Sequence, residues 1–349
     1  MGAVLMVTSG IAIVGSKAVI SQATSGIKQE NLLGDAGKSD AEGGNDLKGP
    51  IDLLLLGVDL RPSWDPNETR SDTIIVLHIP ASHDQAYLVS IPRDTEVQIP
   101  KMNTYPGGTD KINAAFEFGA KNGDGWAGGA QLMAATIKNL TGITFDGAAI
   151  IDFNGFKSVI DALGSVYLCV DQETKSAHMS LVDGKPMYNS DAEKTGKPMK
   201  QVVHKKGCRD MKGWEALDFS RQRYGLTNGD YDRQQHQQQL IKAMAKKAMD
   251  GGVMTNPIKL NSLISAAGKA FTLDIGSIAI PDFVFTMRGV AANDLVMLRT
   301  NDGSFNSTVQ GGEDREKLKP ISQEMFKAVK NDTLAQFIAA NPSVVSTNK

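Results

Sequence analysis

The sequence predicts a layered α/β domain, and three observations carry that prediction. Apolar or β-branched runs of strand length stand at Ile51–Leu56 and Thr73–Ile79; Phe153, Phe156, Val159, Ile160 and Leu163 recur at helical spacing with Gly164 as a stop; and Val166–Val170 returns to strand character. Alternation of this kind places helices against a sheet. At 349 residues and 41% hydrophobic content the chain is long enough to bury one large core or two modest ones.

Residues 2–20 are mostly apolar, with Lys17 the only charge, which is close to the length of a membrane-spanning helix. The basic flank that usually precedes such a run is absent, so residues 1–22 read as a transmembrane anchor entered partway rather than as a signal peptide. The polar, Gly-rich stretch 23–49 offers little to pack and is expected to be a flexible linker. A single domain then spans 50–335.

Within it, Ile51–Leu56, ended by Gly57, suits a strand buried on both faces, and Ala86–Ile91, closed by Pro92, is a third strand. Asp171–Gly207, rich in Lys, Asp, Gly, Pro and Ser, reads as a surface excursion (171–207) with a hairpin at Val182-Asp183-Gly184-Lys185. Cys169 and Cys208 stand at its base. Their spacing leaves two buried thiols and one disulfide both open; an oxidising compartment favours the bridge. A helix is expected over Asp232–Met249, with Leu240, Ile241, Met244, Ala245 and Ala248 as its apolar stripe. Further on, a helix from Pro257 to Ala270, one over Ile278–Met287, a strand at Leu295–Leu298 and a helix at Glu324–Lys330 complete the domain. The last residues, 336–349, form a polar, peripheral tail.

Charge and motif spacing exclude several function classes. A net charge of −2 and a pI near 6.2 leave no basic field for nucleic acid, so any anion site must be local. His78, His83, His178 and His204 lack metal-ligand spacing, which argues against zinc. Gly107-Gly108 and Gly128-Gly129 read as turns, since neither has the spacing of a dinucleotide or Walker loop. Ser90 and Ser220 adjoin arginines but show no His-Asp partnership of a hydrolytic triad.

Three clusters remain that pair arginine with aspartate: Asp59, Arg61, Arg70 and Asp72; Arg93 and Asp94; and Arg221, Arg223, Asp230, Asp232 and Arg233. Guanidinium forks match phosphate oxygens bidentately, and one or two carboxylates with substrate phosphates are the usual way to hold magnesium. Taken singly, each pair reads equally well as a surface salt bridge worth roughly 0 to 1 kcal/mol. Three such clusters in one chain point instead to a pyrophosphate site.

The same residues carry a resemblance. Leu-Leu-Leu-Gly-x-Asp-x-Arg at 54–61, Arg-Ser-Asp-Thr-Ile at 70–74, Ser-Ile-Pro-Arg-Asp-Thr at 90–95, Asp-Lys-Ile-Asn-Ala-Ala-Phe at 110–116, Asp-Phe-x-Gly-Phe at 152–156 and Asp-Ala-Leu-Gly-x-Val at 161–166 stand in order. Ser-Arg-Gln-Arg-Tyr at 220–224 and Gly-Asp-Tyr-Asp-Arg-Gln at 229–234 complete the set. From about Pro50 to Asp250 the chain resembles the LytR-CpsA-Psr family.

That resemblance implies a three-layer α-β-α sandwich with a central mixed β-sheet and an apolar groove for a lipid tail. It implies a single-pass membrane protein with its catalytic domain outside the cytoplasmic membrane. Members move glycopolymers such as teichoic acid, capsule or arabinogalactan from a polyprenyl-pyrophosphate carrier onto peptidoglycan, forming a phosphodiester. By position, Asp59 and Asp72 are the expected magnesium ligands. Arg61, Arg70, Arg93, Arg221, Arg223 and Arg233 are the expected clamp, with Gln234 and Gln238 as weaker members, and Arg93, Asp94 and Asp230 are the catalytic candidates. The base that activates the acceptor hydroxyl stays open between Asp94 and Asp230. Many relatives carry an arginine three residues after the position of Arg233; here His236 stands there, read as a polar neighbour on the helix surface in preference to a phosphate contact. Rival readings are a polyprenyl-pyrophosphate hydrolase and a non-catalytic lipid-carrier-binding regulator.

Overall fold

The computed structural model describes residues 28–37, 49–60, 65–250, 257–276, 295–310 and 313–346. The expected anchor at 1–22, Arg61 and the expected helix at Ile278–Met287 lie outside the described residues. In chain order the strands β1 (Lys28–Gln29), β2 (Ile51–Val58), β3 (Ser71–Ile79), β4 (Ala86–Ser90), β5 (Glu96–Ile99) and β6 (Gly108–Lys111) precede helices α1 (Ala114–Asn122) and α2 (Gly125–Thr141). Next come β7 (Gly147–Asp152), α3 (Phe153–Ala162), β8 (Val166–Val170), β9 (Thr174–Val182), β10 (Lys185–Tyr188), α4 (Asn189–Lys194), β11 (Lys200–His204) and β12 (Gly207–Met211). The chain continues through α5 (Gly213–Arg221), α6 (Asp230–Asp250), α7 (Pro257–Ala270), β13 (Phe271–Asp274), β14 (Leu295–Leu298), β15 (Ser307–Gln310), β16 (Glu313–Glu316), α8 (Pro320–Lys330) and α9 (Leu334–Ala340).

Seven strands form one sheet in the order β1-β13-β7-β2-β3-β4-β14, with parallel pairs β1/β13, β7/β2 and β4/β14 and antiparallel pairs between the others. β2 lies at its centre. Leu54, Leu56 and Val58 face one core with Phe116, Met133, Ile137 and Phe326 of α1, α2 and α8. Leu53, Leu55 and Ile51 face the other, against Ile241 of α6. Burial on both faces is why this strand reads as apolar apart from Asp52, whose buried carboxylate meets His78 Nδ1 on β3 at 2.7 Å. The result is the expected three-layer sandwich with a central mixed sheet.

Three expectations are corrected, and a fourth is extended. Residues 28–37, assigned to a flexible linker, instead place β1 on the sheet edge and bury Leu32, Leu33 and Ala36 in the larger core, while Asp274 accepts hydrogen bonds from the backbone of Leu32 and Leu33. The polar tail is also packed: Val344 is buried, and Ser346 donates its backbone N–H to Met297 beside β14. Gly128-Gly129 lies inside α2 rather than in a turn. There, a Cβ on Gly129 would meet the Phe116 carbonyl at 2.7 Å, so these glycines let α1 and α2 touch backbone to backbone. The excursion carries the expected hairpin, with Asp183 (φ 50°) and Gly184 (φ 76°) between the paired Val182 and Lys185, but β11 joins it to make a three-stranded sheet. Among the described residues no helix is long and apolar enough to cross a membrane.

Candidate anion site beside an apolar cavity

The site forms where β2 ends and β3 begins. Val58 pairs with Ser71, so Asp59, one residue past β2, and Asp72, the second residue of β3, emerge at the same end of the sheet. Gly57 is needed at this crossing, because a Cβ there would stand 2.8 Å from the Thr73 Cβ. Arg93, three residues beyond β4, donates from Nη1 to Asp72 Oδ2 at 2.7 Å, and Asn113, just before α1, donates to Asp72 Oδ1 at 3.3 Å. Asn113 escaped assignment from sequence, although it is the amide within the apolar half of the Asp110–Phe116 motif.

Two helix ends bring the remaining cations. Arg221, the last residue of α5, donates from Nη2 to Asp59 Oδ2 at 2.8 Å, and its guanidinium lies 4.0 Å from the centre of the Phe153 ring. Arg233, in the first turn of α6, donates from Nε to Asp230 Oδ1 at 2.8 Å and from Nη1 to the Asp72 carbonyl at 3.0 Å. Gln234 donates to Asp230 Oδ2 at 2.9 Å. Arg93 Nε lies 3.6 Å from Asp94 and 3.7 Å from Asp230, and Lys111 Nζ lies 3.2 Å from the other Asp94 oxygen.

Burial alone lowers the Arg93 pKa, but Asp72, Asp230 and Asp94 outweigh it and hold the guanidinium above its ordinary value. Burial alone raises the Asp230 carboxyl; Arg233 and Arg93, with hydrogen bonds from Gln234 and Arg233, bring it below the usual carboxylate range. Arg93 Nε and Arg233 Nη2 are nevertheless buried without a hydrogen bond. Arg233 Nη2 is only 2.7 Å from Asp230 Oδ1, so it forms an ion pair whose N–H is misaligned. Buried guanidinium N–H groups that face carboxylates without a well-formed hydrogen bond suit an incoming anion.

Asp59 and Asp72 supply hard carboxylate oxygens from adjacent strands. No group of three or more His, Cys, Asp or Glu able to hold a metal comes together among the described residues. This donor set fits Mg²⁺, which is usually bound by one or two carboxylates while phosphate oxygens and water complete its shell.

An apolar cavity of about 190 Å³ opens beside these groups, between the sheet and helices α3, α5 and α6. Leu55, Ile75, Ile151, Phe156, Leu240 and Met244 line it, and Arg221 and Gly57 join it to the charged cluster.

Other expected residues stand apart. Arg70 is turned to Glu117 on α1 at 2.7 Å. The Arg223 guanidinium lies 4.7 Å from the centre of the Tyr224 ring and donates to its hydroxyl. Gln238 is buried and donates to the carbonyls of Leu88 and Leu298, so it ties α6 to the sheet edge rather than facing the cluster. His236 is not on the helix surface: it is 1% exposed, 3.2 Å from Asp171, and its ring lies 4.2 Å from that of Phe219. Cys169 and Cys208, directly opposed on β8 and β12, form a disulfide.

The sequence profile of the LytR_cpsA_psr family matches residues 16–331. The chain is 31% identical over 207 residues, 59% of its length and 41% of the relative's, to a probable cell wall biosynthesis protein LcpB of Corynebacterium glutamicum. It is 28% identical over 255 residues, 73% of its length and 71% of the relative's, to the polyisoprenyl-teichoic acid–peptidoglycan teichoic acid transferase TagU of Halalkalibacterium halodurans. It spans about half the length of the corynebacterial relatives it matches. Its fold is similar to that of the LytR-CPS2A-psr family protein YwtF (TagT) with bound octaprenyl pyrophosphate lipid, with a TM-score of 0.52 and 20% identity over 82% of this chain and 91% of that one. With the family profile covering most of its length and the family's motifs meeting at one end of the sheet, the chain belongs to the LytR-CpsA-Psr family.

Proposed function

We propose that this protein is a magnesium-assisted phosphotransferase that moves a glycopolymer from a polyprenyl-pyrophosphate carrier to peptidoglycan, held at the outer side of the cytoplasmic membrane by residues 1–22. The observation that carries the reading is the junction at Arg221: one guanidinium borders both the apolar cavity and the carboxylate-arginine cluster, as a ligand with an apolar tail and a pyrophosphate head requires. The names of the transferase relative and of the lipid-bound TagT structure support it.

In this reading the apolar cavity takes the start of the lipid tail, and Arg93, Arg221 and Arg233 hold the pyrophosphate oxygens. Mg²⁺, when held by Asp59 and Asp72, neutralises charge on those oxygens. The acceptor hydroxyl attacks the sugar-side phosphorus, the bond from that phosphorus to the bridging oxygen breaks, and polyprenyl phosphate leaves with the electron pair. Asp94 is the better base for the hydroxyl proton. Both Asp230 oxygens accept hydrogen bonds from Arg233 and Gln234, whereas Asp94 has only ion-pair neighbours beyond 3 Å and is 31% exposed.

The test is turnover by the full chain of a synthetic polyprenyl-pyrophosphate oligosaccharide with peptidoglycan fragments and Mg²⁺, beside Arg93→Ala and Asp72→Ala. Product joined to peptidoglycan and lost in both variants is expected. Release of polyprenyl phosphate without joining means a hydrolase; tight binding without turnover means a carrier-binding regulator.

A further inference from the structure

A second pocket, of about 490 Å³, shares no lining residue with the apolar cavity and is lined by the two carboxylates, Asp94 and Asp230, that lie 3.6 and 3.7 Å from Arg93 Nε. Asp94 and Asp230 form its inner wall; Tyr224, Phe305, Asp314 and Arg223 form much of the rest. Tyr224 and Phe305 are 62% and 53% exposed, so both rings offer apolar surface to a ligand in this pocket.

Phe305 is exposed yet fixed. Its ring meets Tyr231 edge-on at 5.3 Å, and a Cβ on Gly229 (φ +50°) would stand 3.3 Å from its Cζ, so the backbone there is kept bare for the ring. The adjoining residues are held by the buried Glu316, which accepts from the Asn306 N–H and the Ser307 hydroxyl at 2.7 Å each, and from Tyr231 and Asn301. This buried network holds the backbone that carries Phe305 in one place.

Aromatic faces beside carboxylates suit a pyranose. A sugar ring offers an apolar C–H face to an aromatic surface and a rim of hydroxyl donors to carboxylate acceptors. Arg223 and Arg315 line the same space, but Arg223 is engaged by Tyr224 and Arg315 lies 3.4 Å from Asp110, so the carboxylates are left to accept from hydroxyl donors. Direction selects the sugar. In phosphoryl transfer the attacking and leaving oxygens are roughly in line, so with polyprenyl phosphate leaving toward the apolar cavity the entering hydroxyl needs a separate site, and the pocket that holds Asp94 shares no lining residue with that cavity.

We infer that this pocket binds the acceptor glycan of peptidoglycan, stacking its sugars on the exposed rings of Phe305 and Tyr224 and presenting a hydroxyl at Asp94. This rests on the transferase reading above.

The experiment measures initial rates with the full chain, varying in turn a polyprenyl-pyrophosphate oligosaccharide and a peptidoglycan tetrasaccharide, for the parent, Phe305→Ala, Tyr224→Ala and Phe305→Trp. Equal melting temperatures establish that the variants fold. The acceptor KM is expected to rise on the order of tenfold in both alanine variants and to recover in Phe305→Trp, with the donor KM within about twofold of the parent. A rise in donor KM alone puts the donor's sugar in the pocket and overturns the inference, as does no change in either KM. If the parent joins no glycan at all, the transferase reading fails by itself, and NMR titration of the same chains with the tetrasaccharide decides the pocket. Binding weakened by Phe305→Ala sustains it; absent or unaltered binding overturns it.

Discussion

Arg221 and Asp59, 162 positions apart in sequence, meet at 2.8 Å while the guanidinium plane of Arg221 rests over the Phe153 ring at 4.0 Å. The contact joins the end of α5 to the end of β2 and fixes where the apolar cavity stops and the charged cluster begins. A lysine preserves the charge but neither the fork nor the stacking. Arg221→Lys is therefore expected to lower turnover of a polyprenyl-pyrophosphate substrate roughly ten- to a hundredfold, the loss of one or two charge-assisted contacts. Steady-state kinetics check this, and parental turnover in the lysine variant contradicts the role.

The Cys169–Cys208 disulfide closes a loop with a sequence separation of 39 across the three-stranded excursion. Constraint of the unfolded chain by a loop of that size contributes about 2 to 4 kcal/mol. The double variant Cys169→Ser/Cys208→Ser is expected to lose that amount in urea unfolding, and the parent to lose it in reducing agent. Neither cysteine contacts Arg93 or Asp72, so turnover at low temperature stays near the parent's. Identical unfolding midpoints with and without reductant contradict the bridge's stabilising role.

Gly119 on α1 faces Gly128 on α2 so closely that a Cβ would run into the Gly128 carbonyl oxygen and stand 2.8 Å from the Leu132 Cβ. Gly119→Ala forces the helices apart, an overpacking expected to cost about 1 to 3 kcal/mol. The consequence reaches the site, because Asn113 at the head of α1 donates to Asp72. Chemical unfolding together with the Mg²⁺ concentration for half-maximal turnover tests both parts; a variant as stable as the parent shows that the helices yield freely.

These glycines show what was legible in the sequence and what was not. The central strands announce themselves because Ile51–Leu56 and Thr73–Ile79 are mostly apolar and buried on both faces, while their polar interruptions, Asp52 and His78, pair with each other across β2 and β3. Gly-Trp-Ala-Gly-Gly-Ala makes sense as helix only when the facing helix is known, so α2 is hidden behind apparent turn signals. Leu32 and Leu33 are masked by polar, Gly-rich neighbours, and the two residues of β1 carry no period of their own. In the site, motif order brought Asp59, Asp72, Arg93, Arg221 and Arg233 together correctly, since strand and helix ends converge there. It could not reveal that Glu117 holds Arg70 aside, that Tyr224 holds Arg223, or that Gln238 spends its amide on backbone carbonyls, because each depends on a partner distant in sequence.

Asp230 sets the final expectation. Burial raises its pKa, but Arg233 and Arg93, with hydrogen bonds from Gln234 and Arg233, hold it below the ordinary carboxylate value. In the unfolded chain it titrates near the usual value of about 4. A group depressed on folding stabilises the native state fully above its unfolded pKa, and loses that contribution as pH falls through the folded value, because the unfolded state takes up the proton first. Asp230→Asn removes the contribution at every pH and leaves Arg93 and Arg233 without a shared counterion. The variant is therefore expected to be less stable than the parent at pH 7 by about 1 to 3 kcal/mol. The gap should hold down to about pH 5 and narrow as the solution is taken below about pH 4. Paired urea titrations across that range measure it; a gap that stays constant or widens in acid means the Asp230 carboxylate is not the group that balances the two arginines.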